Sequence, residues 1–322
     1  MSDGVRAFLN SLVDYAGLFP PAALAVQAAV AEYAGHRQEQ EAWMLGRFIA
    51  PAARLSEIGS AAEIHLSCQS AWPFSILVGG RDDFATALAA LPDQAAAIRD
   101  FEGAWPGQVV VESLETPLPS AGAGEMATFV PELLTALAAV GLAGREIFLE
   151  LPAGGDDDQV LVAIAGAVHD YVGGVSGFSR VGAKLRCGGV TAEAFPSCER
   201  IAGVIHRSAS LGLPLKCTAG LHHPVRHQAV TPAVMMHGFL NVFGAGVLAW
   251  ARQLDVDQLL ACVSETDPQA FTLTAAGFSW RDHQVAAEEI QQIRSGFLCG
   301  FGSCSFTEPR ADLQALAILP AG

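Results

Sequence analysis

Short apolar runs that stop at Gly, Pro or polar residues alternate along this chain with longer runs rich in Ala and Leu. The first pattern predicts buried strands and the second helices. VDYAGLFPP (13–21) predicts a first strand with its exit turn, and Ala22–Gly35 the first helix. MLGRFIAP (44–51) is the second strand and FSILVGG (74–80) the third, with Asp82 and Asp83 capping the helix that follows. QVVVESLETP (108–117) and REIFLELP (145–152) are the fourth and fifth, with a helix over Thr128–Val140 between them. The acidic run Asp156–Asp158 favours the start of a helix reaching about His169. VGAKLRCGG (181–189) predicts the sixth strand, with a helix from about Glu193 to Ser210. LPLKCTAGLHH (213–223) is the seventh, with helix over Ala233–Arg252. FTLTAAGFSW (271–280) is expected as the eighth strand, His283–Arg294 as an amphipathic helix, and the C-terminal stretch from Phe301 as a cap. GFGSCSF (300–306) is expected as a lid or part of that cap.

Eight strand–helix units in series imply a parallel sheet closed into a (β/α)8 TIM barrel, as one domain over residues 1–322. The competing fold is an open doubly wound sheet, which carries a glycine-rich nucleotide turn after its first strand. Here that turn reads GLFPP, with few free backbone N–H groups.

Composition narrows the function. With 51% hydrophobic and 16% charged residues, the chain has the balance of a large buried core. A net charge of −15 and the lack of any Lys/Arg run exclude a nucleic-acid footprint. The seven cysteines form no C-x-x-C pair, which suits a reducing interior. MSDGVRAFLN has no signal-peptide pattern, and the apolar stretch His237–Trp250 is shorter than the ~20 residues of a membrane span. A cytoplasmic enzyme acting on a small molecule is the expectation, with homo-oligomerisation left open.

In a barrel of this kind the chemistry sits where strands end. The polar residues there are Asp14, Arg47, Glu112, Glu115, Glu150, Lys184, Arg186, Lys216, Thr218, His222, His223 and Ser279. Lys184 and Lys216 carry the most information, because a charged lysine is expensive inside an apolar barrel. Close together they would lower each other's pKa, and desolvation would act in the same direction. A neutral lysine attacks carbonyls to form an imine. Two other readings stand beside this one: the lysines bind an anionic substrate, or Glu112, Glu115 and Glu150 hold them in a structural ion network.

Lys216-Cys-Thr-Ala-Gly220 resembles the K-T-S-T-G strand of deoxyribose-phosphate-type class I aldolases. Lys184, followed by Gly188-Gly189-Val190, is similar to the lysine and double-glycine strand of the same enzymes. The resemblance covers about twenty residues. The two motifs stand in reversed order, and Cys217 and Ala219 depart from the pattern. It implies Lys216 as the imine nucleophile and Lys184 as the cation that tunes it, in a lyase that needs no cofactor.

Four of the nine histidines, at 222, 223, 227 and 237, fall within sixteen residues. His222 or His223 is expected to move protons, with Glu150 as base or orienting group. Arg186, Arg47, Gly188, Gly189, Thr218, Ser279 and Asp14 are the expected substrate contacts. The alternative is a divalent-metal site for Zn, Mn or Fe built from His222, His223, Glu112, Glu115 and Glu150. A third expectation, from a different class, is a non-catalytic binding barrel. Cys187 and Cys217 alternate away from their neighbouring cations and read as buried filler.

Overall fold

The computed structural model describes residues 3–67, 70–80, 83–120, 122–173 and 177–320. In chain order its strands begin with β1 (Val13–Tyr15), β2 (Leu45–Pro51), β3 (Trp72–Leu77) and β4 (Val109–Pro117). They continue with β5 (Glu146–Glu150), β6 (Arg180–Arg186), β7 (Leu215–Thr218), β8 (His227–Gln228) and β9 (Met235–Met236). The last four are β10 (Phe271–Thr274), β11 (Gly277–Trp280), β12 (His283–Ala286) and β13 (Leu298–Ser303). Eight of them close in the order β1-β13-β7-β6-β5-β4-β3-β2, with helices between, as a (β/α)8 barrel. None of the described helices is long and apolar enough to cross a membrane.

The first seven strands lie where the apolar runs predict them. Their helices start on side-chain caps where the sequence offers one. Asp83 accepts from the Thr86 N–H at 2.8 Å, and Asp156 from the Gln159 N–H at 3.2 Å. Asp82, the other expected cap, lies outside the described residues.

The eighth strand is a correction. Residues 271–280 do not enter the barrel: they form the hairpin β10–β11, which β12 extends into a three-stranded antiparallel sheet. The hairpin turns at Ala275-Ala276, with Thr274 opposite Gly277. The expected helix over His283–Arg294 accordingly starts later, at Ala287. The barrel strand is instead β13, from the stretch read as lid and cap. Its glycines disguise it, because glycine is depleted in strands. They are needed where it runs past β1: Gly300 has φ +155°, and a Cβ there would stand 2.9 Å from the Leu12 carbonyl oxygen. A short helix, Thr307–Ala315, follows β13.

The chain divides into two compact units, one made of residues 1–22, 40–46 and 185–322, the other of 23–39 and 47–184. In the first, β13 pairs on one side with β1 (Asp14 opposite Gly302) and on the other with β7 (Lys216 opposite Gly300). In the second, β2 to β6 pair in sequence, with Glu115 opposite Phe148 and Glu150 opposite Lys184. At the N-terminal ends of these strands Arg47 bridges Glu112 (2.9 Å) and Glu146 (2.8 Å), and Arg180 reaches Glu146 at 3.0 Å.

Candidate functional site

In the first unit, β7 buries Lys216, its second residue, which is 1% exposed. Its Nζ donates to Asp14 Oδ2 on β1 at 2.5 Å, and Asp14 is itself 4% exposed. A short, charge-assisted contact of this kind needs both groups aimed at one point. Gly46 helps aim the carboxylate: a Cβ there would overlap Asp14 Oδ1. After β7 the chain turns through Ala219 (φ +58°) and Gly220 (φ +70°), two successive left-handed residues. For alanine that conformation is strained, and such strain clusters at functional loops. Gly220 lies so close to Gly188 that a Cβ on either would come within 2.8 Å of the other's Cα. The double glycine after β6 thus serves loop packing. Arg186 is exposed and lies against Gly189, while half-buried Thr218 uses its carbonyl to accept the Cys187 N–H at 2.8 Å.

The same unit holds the histidines. His222 Nδ1 meets Glu308 Oε2 at 3.1 Å, and Cys304 Sγ stands 3.9 Å from its Nε2. Burial pushes the His222 pKa down, but Cys304 and Glu308 outweigh it and hold it up at about 9. His223 Nδ1 meets Asp312 Oδ2 at 2.5 Å. Its ring packs edge-on against His227, 4.3 Å between centroids. Burial lowers the pKa of His227, and His223 adds to the fall. His237 is buried, its Nε2 on the Pro196 carbonyl at 2.8 Å, and desolvation lowers its pKa as well.

The second unit has its own buried centre. Lys184 Nζ lies 2.5 Å from Glu115 Oε2 and 2.7 Å from Glu150 Oε2, and Ser75 donates to Glu115 Oε1 at 2.6 Å. These side chains come from β3, β4, β5 and β6. Desolvation works against the ammonium, yet the two glutamates prevail and raise the Lys184 pKa. The expectation of a depressed Lys184 is therefore reversed, for a physical reason: two carboxylates at hydrogen-bond distance outweigh burial.

The expected site residues thus fall into groups. Lys216 with Asp14, His222 and His223 with the helix Thr307–Ala315, and Lys184 with Glu115 and Glu150 are each held in specific contacts. Arg47 and Glu112 belong to the network at the N-terminal strand ends, away from strand C-termini, so they do not stand where substrate contacts or metal ligands were expected. Ser279 lies on β11, opposite Thr272 and Gln284 in the antiparallel sheet, and is not at a barrel strand end. Among the described residues, no group of three or more His, Cys, Asp or Glu forms a metal-binding cluster. His222, His223, Glu112, Glu115 and Glu150 therefore do not gather as one ligand set. Cys304, Glu308 and Asp312 were not anticipated. Their only sequence signal is the carboxylates at 308 and 312, which share one face of a helix by i,i+4 spacing. Two cavities of about 370 and 340 Å³ lie elsewhere, one lined by His206 and Trp250, the other by Arg37, His65 and Trp72.

No protein-family model and no curated protein matches the chain. Among solved structures it is similar to a tetrameric deoxyribose phosphate aldolase from Aeropyrum pernix, at 15% identity and a TM-score of 0.43. That match covers 68% of this chain and 80% of the other. A GH6 enzyme of Orpinomyces sp. Y102 matches at 9% identity and a TM-score of 0.34, over 92% of this chain and 99% of the other. At these scores neither likeness carries an argument about function.

Proposed function

We propose that this barrel is an enzyme of the lyase type that makes or breaks a carbon–carbon bond through an imine on Lys216. The observation that supports this reading is the buried contact between Lys216 on β7 and Asp14 on β1. An amine held against a carboxylate has an acceptor for its proton within reach. On arrival of a carbonyl substrate, the Lys216 ammonium passes that proton to Asp14 and the free amine adds to the carbonyl carbon. Asp14 returns the proton to the carbinolamine oxygen as water leaves. The resulting iminium accepts the electron pair of the Cα–Cβ bond as that bond breaks, while the hydroxyl on the departing carbon gives its proton to the restored Asp14 carboxylate and the fragment leaves as a carbonyl compound. Lys184 is the poorer nucleophile, since its two glutamates keep it an ammonium. Its role here is a fixed positive charge within a negative frame.

Reductive trapping tests this reading. The protein is incubated with a panel of small aldehydes and ketones, plain, carboxylated or phosphorylated, then reduced with borohydride and mapped by mass spectrometry. The expected result is an adduct on Lys216 with at least one carbonyl compound, and its loss in Lys216→Met. A panel that leaves Lys216 unmodified, or a Lys216→Met protein with undiminished turnover, would sink the proposal.

A further inference from the structure

Cys304 follows the last residue of β13, and its sulfur stands beside the His222 imidazole, whose Nδ1 meets the Glu308 carboxylate. The three groups come from three segments: the end of β13, the turn after β7, and the first turn of the helix Thr307–Ala315. Cys304 is 8% exposed. Glu308 accepts at His222 Nδ1, and the sulfur lies beside the ring, 3.9 Å from Nε2 and 4.0 Å from Nδ1. A carboxylate that holds the ring and an imidazole in contact with a sulfur are the parts of an activated thiol: a protonated ring beside the sulfur favours its thiolate.

Three other described cysteines have different surroundings. Cys217 is raised well above the ordinary thiol value by its contact with Cys187 and by burial. Cys262 is pushed up mainly by burial. Cys299 is half-buried, with its Sγ 3.7 Å from the Phe297 carbonyl oxygen.

We propose that Cys304 is a nucleophilic thiol, activated by His222 and oriented through Glu308, that captures electron-poor carbon centres, an aldehyde carbonyl in particular. In that step the sulfur lone pair forms the S–C bond and the C=O π pair moves onto oxygen. The oxygen takes the proton held on His222, giving a hemithioacetal with no further reactant. The assignment is independent of the imine on Lys216, because its readout is sulfur reactivity rather than turnover.

The test is the rate of alkylation by iodoacetamide at pH 6.5, followed at each cysteine by peptide mass mapping of the native protein. There the S–C bond forms, the C–I bond breaks, iodide leaves and the thiol proton stays on His222. Cys304 is expected to react about tenfold faster than half-buried Cys299, because the imidazole in contact with its sulfur favours the nucleophilic thiolate. His222→Asn is expected to abolish that advantage and leave the Cys299 rate unchanged. Should His222→Asn fail to fold by circular dichroism, Glu308→Gln decides the matter, since that side chain is half exposed and its loss should slow Cys304 alone. A Cys304 that labels no faster than Cys299, or whose rate in the folded variants equals that of the wild type, overturns the proposal.

Discussion

Two carboxylates around one ammonium make Lys184 a sensitive residue. Glu115 and Glu150 are 1% and 3% exposed, so the pairs they make with Lys184 lie in a nearly dry place. Removing the ammonium takes from both carboxylates a cation at hydrogen-bond distance, whereas losing an exposed ion pair would cost little. Lys184→Met should therefore lower unfolding free energy by about 3–5 kcal/mol, the usual cost of stripping one partner from a buried pair. Urea melts of the two proteins measure this directly. A loss below about 1 kcal/mol would mean that the carboxylates shed their charge by protonation when the lysine goes. The sequence made Lys184 and Lys216 conspicuous, because lysine in an apolar strand is rare enough to notice. It did not reveal the sign of the Lys184 shift, which depends on the register that sets Glu150 opposite Lys184. Nor did it expose Cys304, whose imidazole partner lies 82 positions away along the chain.

The helix Thr307–Ala315 is the element with the most distinctive attachment. Glu308 and Asp312, one turn apart, meet His222 and His223, and Arg310 lies 3.8 Å from Glu41. The His222 pKa rises from 6.5 to about 9, so its contribution to stability is fully present below about pH 6.5 and is lost as pH rises through 9. Glu308 is lowered, chiefly by His222, so its contribution is lost on the other side, as pH falls through the carboxylate range. Hydrogen exchange over 307–315, corrected for its intrinsic pH dependence, should therefore show protection falling between pH 7 and 10. Glu308→Gln should flatten that profile, and an unaltered profile in the variant would show that the pair does not hold the helix. The element itself was hidden in the sequence by its neighbour. A strand written Leu-Cys-Gly-Phe-Gly-Ser has too little side chain to show period-two alternation, whereas Phe271–Trp280 shows it well and forms a hairpin. Periodicity reports a buried face and does not say which sheet buries it.

For the whole molecule, the two ends of the strands divide the labour of a barrel. C-terminal ends carry chemistry and N-terminal ends carry stability. Cys304, the thiol proposed as reactive, follows the C-terminal end of β13, while Arg47, Glu112, Glu146 and Arg180 tie β2, β4, β5 and β6 together towards the other. Sequence position alone put Arg47 among the substrate contacts, because a strand's direction does not show where within it an outward-reaching arginine finds its partner. Arg47→Ala separates the two assignments. It removes a partly buried guanidinium that holds two carboxylates, one of them, Glu146, still paired with Arg180. The expected cost is about 1–2 kcal/mol, larger than for an exposed pair because the arginine and Glu146 are mostly shielded. Imine trapping on Lys216 and alkylation of Cys304 should proceed at the wild-type rate in the same protein. A drop in either reaction without a matching loss of stability would return Arg47 to the site and undo the division between the two ends.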